Sequence, residues 1–315
     1  MGTIVSIDVV GVDDPQAIAT ARAEIERLGR EWYPWANDGE LVRLNAAFAK
    51  GESMTASSAF ANLLRRSQEA FRLSNGFFDP AVAPMVEAWG FHRSERDPRQ
   101  AVPTEAQLNA WAANHPTFAD VVIDTDKVRS RRADLKLDFG AIGKGFAVDA
   151  AIEQLKQRGV ANALVNAGGN LRAIGRDIKN LPWRVAIRSP RSDEPLAWLE
   201  LQGDESVSTS GDYERFAVVA GQRIHHILDP RTGRPATHTS AVTVIAADAT
   251  AADAASTAIF VAGPNRWREI ARALGIQQVL RVDANGQIEV SRALAARLRT
   301  PSSEPRQTPW TQIDL

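Results

Sequence analysis

The chain has 315 residues, with 37 Lys+Arg against 38 Asp+Glu and a formal charge of −1; at roughly 150 residues per domain this predicts one large domain or two modest ones. The charge balance argues against a protein whose main task is to coat nucleic acid or an anionic membrane. The absence of cysteine excludes disulfides, thiolate zinc sites, cysteine nucleophiles and cysteine-ligated iron–sulfur clusters.

An alternating start, Met1-Gly2-Thr3-Ile4-Val5, predicts an opening strand through Val10. No signal-peptide pattern precedes it, so a cytoplasmic protein and one whose export segment lies upstream both stay open. Ile18, Ala21, Ile25, Leu28 and Trp32 then recur at helical spacing behind Asp13-Asp14-Pro15, which predicts a helix to about Trp32. A second amphipathic helix carries Phe60, Leu63, Leu64, Ala70 and Phe71 and stops at Ser74-Asn75-Gly76. The polar stretch 93–104 reads as a surface loop and as the candidate position for a hinge, an insertion or a sub-lobe boundary, not as a firm domain boundary. Strands are expected at Val121 to Asp124, Lys127 to Arg131 and Leu135 to Phe139, followed by a glycine-punctuated turn and a helix bearing Val148, Ala151, Ile152 and Leu155.

Further on, the pattern predicts strands at Ala163 to Asn166, Arg184 to Arg188 and Ala197 to Leu201, a hairpin turning at Ala220-Gly221-Gln222, and a strand at Ala241 to Ala246. An alanine-rich helix from Thr250 to Ala262 closes at Gly263-Pro264, a last helix spans Trp267 to Leu274, and a hairpin turns at Asn285-Gly286. Runs of strands outnumber strict strand–helix alternation, so the expected class is α+β with a mixed or antiparallel sheet flanked by helices. Residues 1–299 are read as one domain and the Pro/Ser/Thr/Gln-rich residues 300–315 as a tail.

Four segments could carry chemistry. Asp138-Phe139-Gly140-Ala141-Ile142-Gly143-Lys144-Gly145 combines a three-glycine turn with a lysine at a helix N-terminus; it either offers backbone N–H groups to an anion or merely permits a tight turn. Its spacing is neither a Walker A loop nor a dinucleotide fingerprint. Asp253 and Thr257 stand four apart on one helix face, which suits a hard cation such as magnesium, although in most helices such a pair is a surface carboxylate beside a half-buried threonine. Of the adjacent pair His225 and His226, strand alternation lets only one point into a given site. Phe77, Phe78 and Asp79 lie in a proline-bounded stretch where paired aromatics can cover a planar ligand or pack beneath the loop.

Together these segments, with Val165-Asn166-Ala167-Gly168-Gly169-Asn170, Thr209 to Arg215 and His225 to Gly233, resemble the ApbE-like flavin transferases over nearly the whole chain. The resemblance implies a two-lobed α+β fold with a ligand cleft. It also implies Mg2+-dependent transfer of FMN from FAD to a Thr or Ser hydroxyl of an acceptor protein, with release of AMP. Carried over by position, Asp253, Thr257 and the Ala141 carbonyl are the implied magnesium ligands and His226 the active-site histidine; Met1, Phe77, Phe78, Asp79, Asp138, Lys144 and the Ile227 backbone are the implied FAD contacts. Asn170 departs from the aspartate that many members carry after the paired glycines. The implied partner is a flavoprotein with a Ser/Thr-Gly-Ala-Thr-type segment, such as a subunit of a redox membrane complex, and the implied location is periplasmic or membrane-anchored facing the periplasm. Hydrolysis of FAD to FMN and AMP, or flavin binding and delivery without turnover, are the rival readings.

Overall fold

A computed structural model describes residues 3–12, 14–93, 97, 100–219, 221–300 and 310–315. Its main sheet has eight strands in the order Val5–Val10, Asn162–Ala167, Asn170–Ile174, Glu205–Gly211, Thr239–Ala246, Gln278–Asp283, Ile288–Ser291 and Thr311–Ile313. Neighbours are antiparallel except the last pair, which is parallel. The α+β class with a mixed sheet is therefore the one the chain adopts.

Strand Thr239–Ala246 shows why the sheet is central. Its first seven residues are buried, with Val242 and Val244 in one apolar cluster and Ala241 and Ile245 in another on the opposite face. Because side chains alternate, a register slip of one residue would exchange those two faces, so burial on both sides fixes the pairing.

Among the described residues the α-helices of six or more residues are α1 (Pro15–Glu31), α2 (Glu40–Lys50), α3 (Ser58–Leu73), α4 (Ala83–Ala88), α5 (Glu105–Ala113), α6 (Gly143–Gln157) and α7 (Ala249–Ala273). In α1, Asp14 caps the N-terminus by accepting from the Gln16 N–H at 2.9 Å, and Pro15 fits the first turn, where its missing N–H costs nothing. Ala17, Ala21, Ile25 and Leu28 form its buried stripe, on the same core as the stripe of α6. The break expected at Gly263-Pro264 is present: Gly263 has φ 63° and ψ −168°, a conformation that glycine reaches without a Cβ penalty, and helical turns resume beyond it to Ala273.

Three expectations need correction or restriction. Leu135 to Phe139 alternates buried and exposed as a strand would, yet it belongs to no ladder. Asn45 takes the place of a neighbouring strand there, its side-chain amide donating to the Leu137 carbonyl at 3.1 Å and accepting from the Leu137 N–H at 2.9 Å. Within the residues read as a tail, Trp310 is buried and Thr311–Ile313 joins the sheet as an edge strand beside Ile288–Ser291. Met1, and within the expected boundary residues 94–96, 98 and 99, lie outside the described residues, as do 301–309.

Candidate active site

A pocket of about 320 Å³ opens where the N-terminal turns of α6 and α7 meet the turn at Gly168 and the end of strand Glu205–Gly211. The other sequence-predicted site residues all line it: Phe77, Phe78, Asp79, Asp138, Ala141, Lys144, His226, Ile227, Asp253 and Thr257.

On the helical side, Asp253 is 2% exposed, and its Oδ2 accepts from the Gly145 N–H at 2.9 Å. Lys144 Nζ stands 3.8 Å from Oδ1 and donates to the Gly140 carbonyl at 2.8 Å. Burial pushes the Asp253 pKa up, while Lys144 and the Gly145 N–H favour the ionised form. The contact requires glycine at 145: a Cβ there would lie 2.1 Å from the Ala249 carbonyl oxygen and 2.8 Å from Asp253 Cβ. The three-glycine turn thus lets α6 approach α7 as well as shaping the loop.

Gly145 is the third residue of α6, whose N–H has no partner within the helix, and Asp253 takes it; Ala141 precedes the N-cap residue Ile142, so its carbonyl stands outside the helical ladder. Thr257 Oγ1 lies 3.2 Å from Ser210 Oγ. One carboxylate, one hydroxyl and one carbonyl thus line the same pocket, and these hard oxygens fit magnesium. A set this small suits an ion that completes its shell with water and phosphate oxygens.

The histidines separate as alternation requires. His225 ends strand Gln222–His225 and is 4% exposed; its Nδ1 accepts from the Ile227 N–H at 3.3 Å, so Nε2 carries the hydrogen and donates to the Ala236 carbonyl at 3.1 Å. That neutral tautomer agrees with a pKa lowered chiefly by burial. His225 therefore holds the backbone at Ile227, a structural task the sequence did not signal. His226 follows the strand and lines the pocket. Its Nδ1 lies 3.1 Å from the Arg215 carbonyl, which can only accept, so Nδ1 is protonated and Nε2 keeps its lone pair. Desolvation, then the nearby Arg215 and Lys144, push its pKa down to about 3, although the residue as a whole is only partly buried.

The opposite wall is irregular and aromatic. Phe77 and Phe78 are each 2% exposed, so the pair packs beneath its loop more than it covers the pocket, and the Arg231 guanidinium lies 3.9 Å above the Phe77 ring. Asp79 spends its oxygens on backbone, accepting from Ala81 N–H at 2.8 Å and Phe118 N–H at 3.1 Å, and burial pushes its pKa up to about 7 against those bonds. Asp138 accepts from the Gly140 N–H at 2.6 Å; burial raises its pKa, while Gly140, Arg215, Lys144 and Trp35 oppose the rise. Sequence reasoning missed Trp32, Tyr33, Pro34 and Trp35, which also line the pocket. Three aromatics and a proline within four residues behind a helix were the available signal. Arg215 was also missed as a site cation; it donates to the Phe91 and Arg93 carbonyls and thereby pins the segment that carries it.

One end of a mixed sheet and the helices beside it thus gather an oxygen-donor pair, a lysine and a neutral histidine around one pocket with an aromatic wall. The ApbE family profile matches residues 1–280, and the chain belongs to that family. It is 39% identical over its full length to a FAD:protein FMN transferase of Rhodobacter capsulatus, of which it spans 60%. The crystal structure of the ApbE protein of Thermotoga maritima superposes with a TM-score of 0.85 at 30% identity, covering 95% of this chain and 96% of that one. The flavinyl transferase ApbE of Pseudomonas stutzeri, in its apo form, gives 0.81 at 32% identity with 94% of each chain covered.

Proposed function

We propose that this chain is a FAD:protein FMN transferase, moving FMN from FAD to a Thr or Ser hydroxyl of an acceptor flavoprotein and releasing AMP. The observation that carries the reading is the pocket that gathers Asp253, Thr257, Ala141, Lys144 and an Nε2-basic His226 around one space. Asp253, Thr257 and Ala141 would hold Mg2+, which neutralises pyrophosphate charge when bound. Lys144 adds a cation beside the same oxygens. The acceptor hydroxyl oxygen attacks the FMN phosphorus, a new P–O bond forms, and the pyrophosphate P–O bond breaks with its electron pair leaving on AMP. His226 Nε2 takes the hydroxyl proton, while the Arg215 carbonyl holds its ring in the required tautomer.

The flavin ring is held on the aromatic side, by Trp35 and Tyr33 together with the Phe77-Phe78 loop, with Asp138 and the Ile227 backbone as polar contacts. The acceptor carries a Ser/Thr-Gly-Ala-Thr-type segment, as on a subunit of a redox membrane complex. AMP release followed by chromatography tests the reading: slow without acceptor, faster with it, and stopped by EDTA. AMP release that ignores both acceptor and EDTA would contradict it.

A further inference from the structure

Asp149, one turn beyond Gly145 on α6, is not among the residues that line the pocket, and the reaction above does not use it. Its Oδ1 accepts from the Ala249 N–H at 2.9 Å, and its Oδ2 accepts from the Thr250 N–H at 2.8 Å and from the Thr250 hydroxyl. Those are the first two N–H groups of α7, which have no partner within their own helix. Arg172, on strand Asn170–Ile174, donates to Asp149 Oδ1 at 2.9 Å and to the two oxygens of Asp204 at 2.7 and 3.0 Å, which ties the Asp149 carboxylate to the main sheet.

The bond from the Gly145 N–H to Asp253 has the same form in reverse. Asp149 stands four residues after Gly145, and Asp253 stands four residues after Ala249. Each helix thus lends a carboxylate from its second turn to a first-turn N–H of the other. Asp248 also caps α7, accepting from the Ala251 N–H at 2.7 Å, and its pair with Arg66 ties that end to α3. Neither of those bonds reaches α6. Asp149 belongs to α6, so its bonds are the ones that fix the first turn of α7 against the turn that carries Lys144. Asp253 lies one helical turn further along α7, a rise of about 6 Å, so any error at the first turn is passed to its carboxylate. We infer that Asp149 is a positioning residue for the proposed cation site: it sets the first turn of α7 against α6 and thereby holds the Asp253 carboxylate in place beside Lys144.

The inference rests on Asp253 being a cation ligand, and the test separates the two claims. The readout is the Mg2+ concentration giving half-maximal FAD binding, followed by quenching of flavin fluorescence, with Tm recorded for each variant. Asp149→Ala removes the clamp and should raise that concentration about 10-fold, the low end for groups that orient a metal ligand. Asp149→Glu keeps the negative charge but carries the carboxylate one methylene further, so it should also raise the concentration, by less. It carries the test if Asp149→Ala does not fold. Native Mg2+ dependence in both variants, whatever their Tm, would leave Asp149 a structural clamp only and overturn the inference. A rise in Asp149→Ala with native dependence in Asp149→Glu would assign the effect to charge instead of placement and overturn it too. Native dependence in Asp253→Ala, or no Mg2+ dependence in the unsubstituted protein, would overturn the cation reading and this inference with it.

Discussion

On one side of the pocket the polar groups stand on regular structure: Asp253 and Thr257 on α7, Lys144 and Gly145 on α6, and Ser210 on the strand Glu205–Gly211. On the other side, Trp32 to Trp35, Phe77 to Asp79 and Ile227 stand on irregular segments, tied down by individual side-chain acceptors such as Asp79 and His225. Groups that stabilise a transition state must hold position within fractions of an ångström, and packed helices and strands provide that. A flat ring needs shape and area, which loops supply with less exact placement. Substitutions on the first side, and at His226 on the bend after strand Gln222–His225, should therefore remove chemistry, and the others on the second side should alter binding and stability.

The largest effect is expected at Asp253. Asp253→Ala removes the charged oxygen ligand and should slow transfer about 10³-fold or more, in keeping with the several kcal/mol that metal-based charge stabilisation supplies. AMP release and a Tm within the native range are the two readouts. An unchanged rate with Mg2+ present would break the division between the sides.

His226→Ala should cost about 10²-fold, the lower end of general-base catalysis. The pH profile sharpens this. With its pKa pushed down to about 3, His226 is already deprotonated at every pH above that value, so kcat/KM should show no acidic limb near 6.5 from this group. A limb near 6.5 that vanishes in His226→Ala would show that the free enzyme does not hold the ring as described.

Gly145→Ala tests the helix contact itself. The added Cβ meets backbone at 2.1 Å, and neither α6 nor α7 can yield without disturbing Asp253. A loss of about 1–3 kcal/mol, the usual cost of overpacking, should appear in denaturant unfolding together with slower transfer. Native stability would mean that the helices are not locked at this point.

The smallest expected effect lies on the looped side. Burial holds His225 neutral, so its folded pKa is below the unfolded value near 6.5. The unfolded chain then binds the extra proton, and stability should fall as pH drops through 6.5 toward the folded value. His225→Gln should flatten that part of the Tm-versus-pH curve and leave transfer close to native. A steeper curve in the variant would contradict the assignment.

The division also explains what was legible in the sequence. Asp253 and Thr257, the glycine turn and the helix caps are local patterns whose spacing carries their geometry. Strand Thr311–Ile313 was not legible, because its pairing with Ile288–Ser291 spans residues whose local composition resembles a tail. The short helix α2 was passed over because part of its buried face is polar: Glu40 is 8% exposed and accepts from the Ser57 N–H at 2.6 Å and the Ser57 hydroxyl at 2.8 Å. Leu135 to Phe139 has the period of a strand, but Asn45, 92 residues before Leu137, takes the neighbouring strand's place. Long-range polar partners of this kind leave no periodicity to read.

Intact mass spectrometry of the acceptor tests the central claim most directly. The protein would be incubated with FAD, Mg2+ and an acceptor bearing the Ser/Thr-Gly-Ala-Thr-type segment, beside the same acceptor with its target Thr changed to Val. The account predicts that the Thr acceptor gains the mass of one FMN as AMP accumulates, and that the Val acceptor gains none. Rapid cleavage of FAD at one rate with or without acceptor, and no adduct on either, would contradict it.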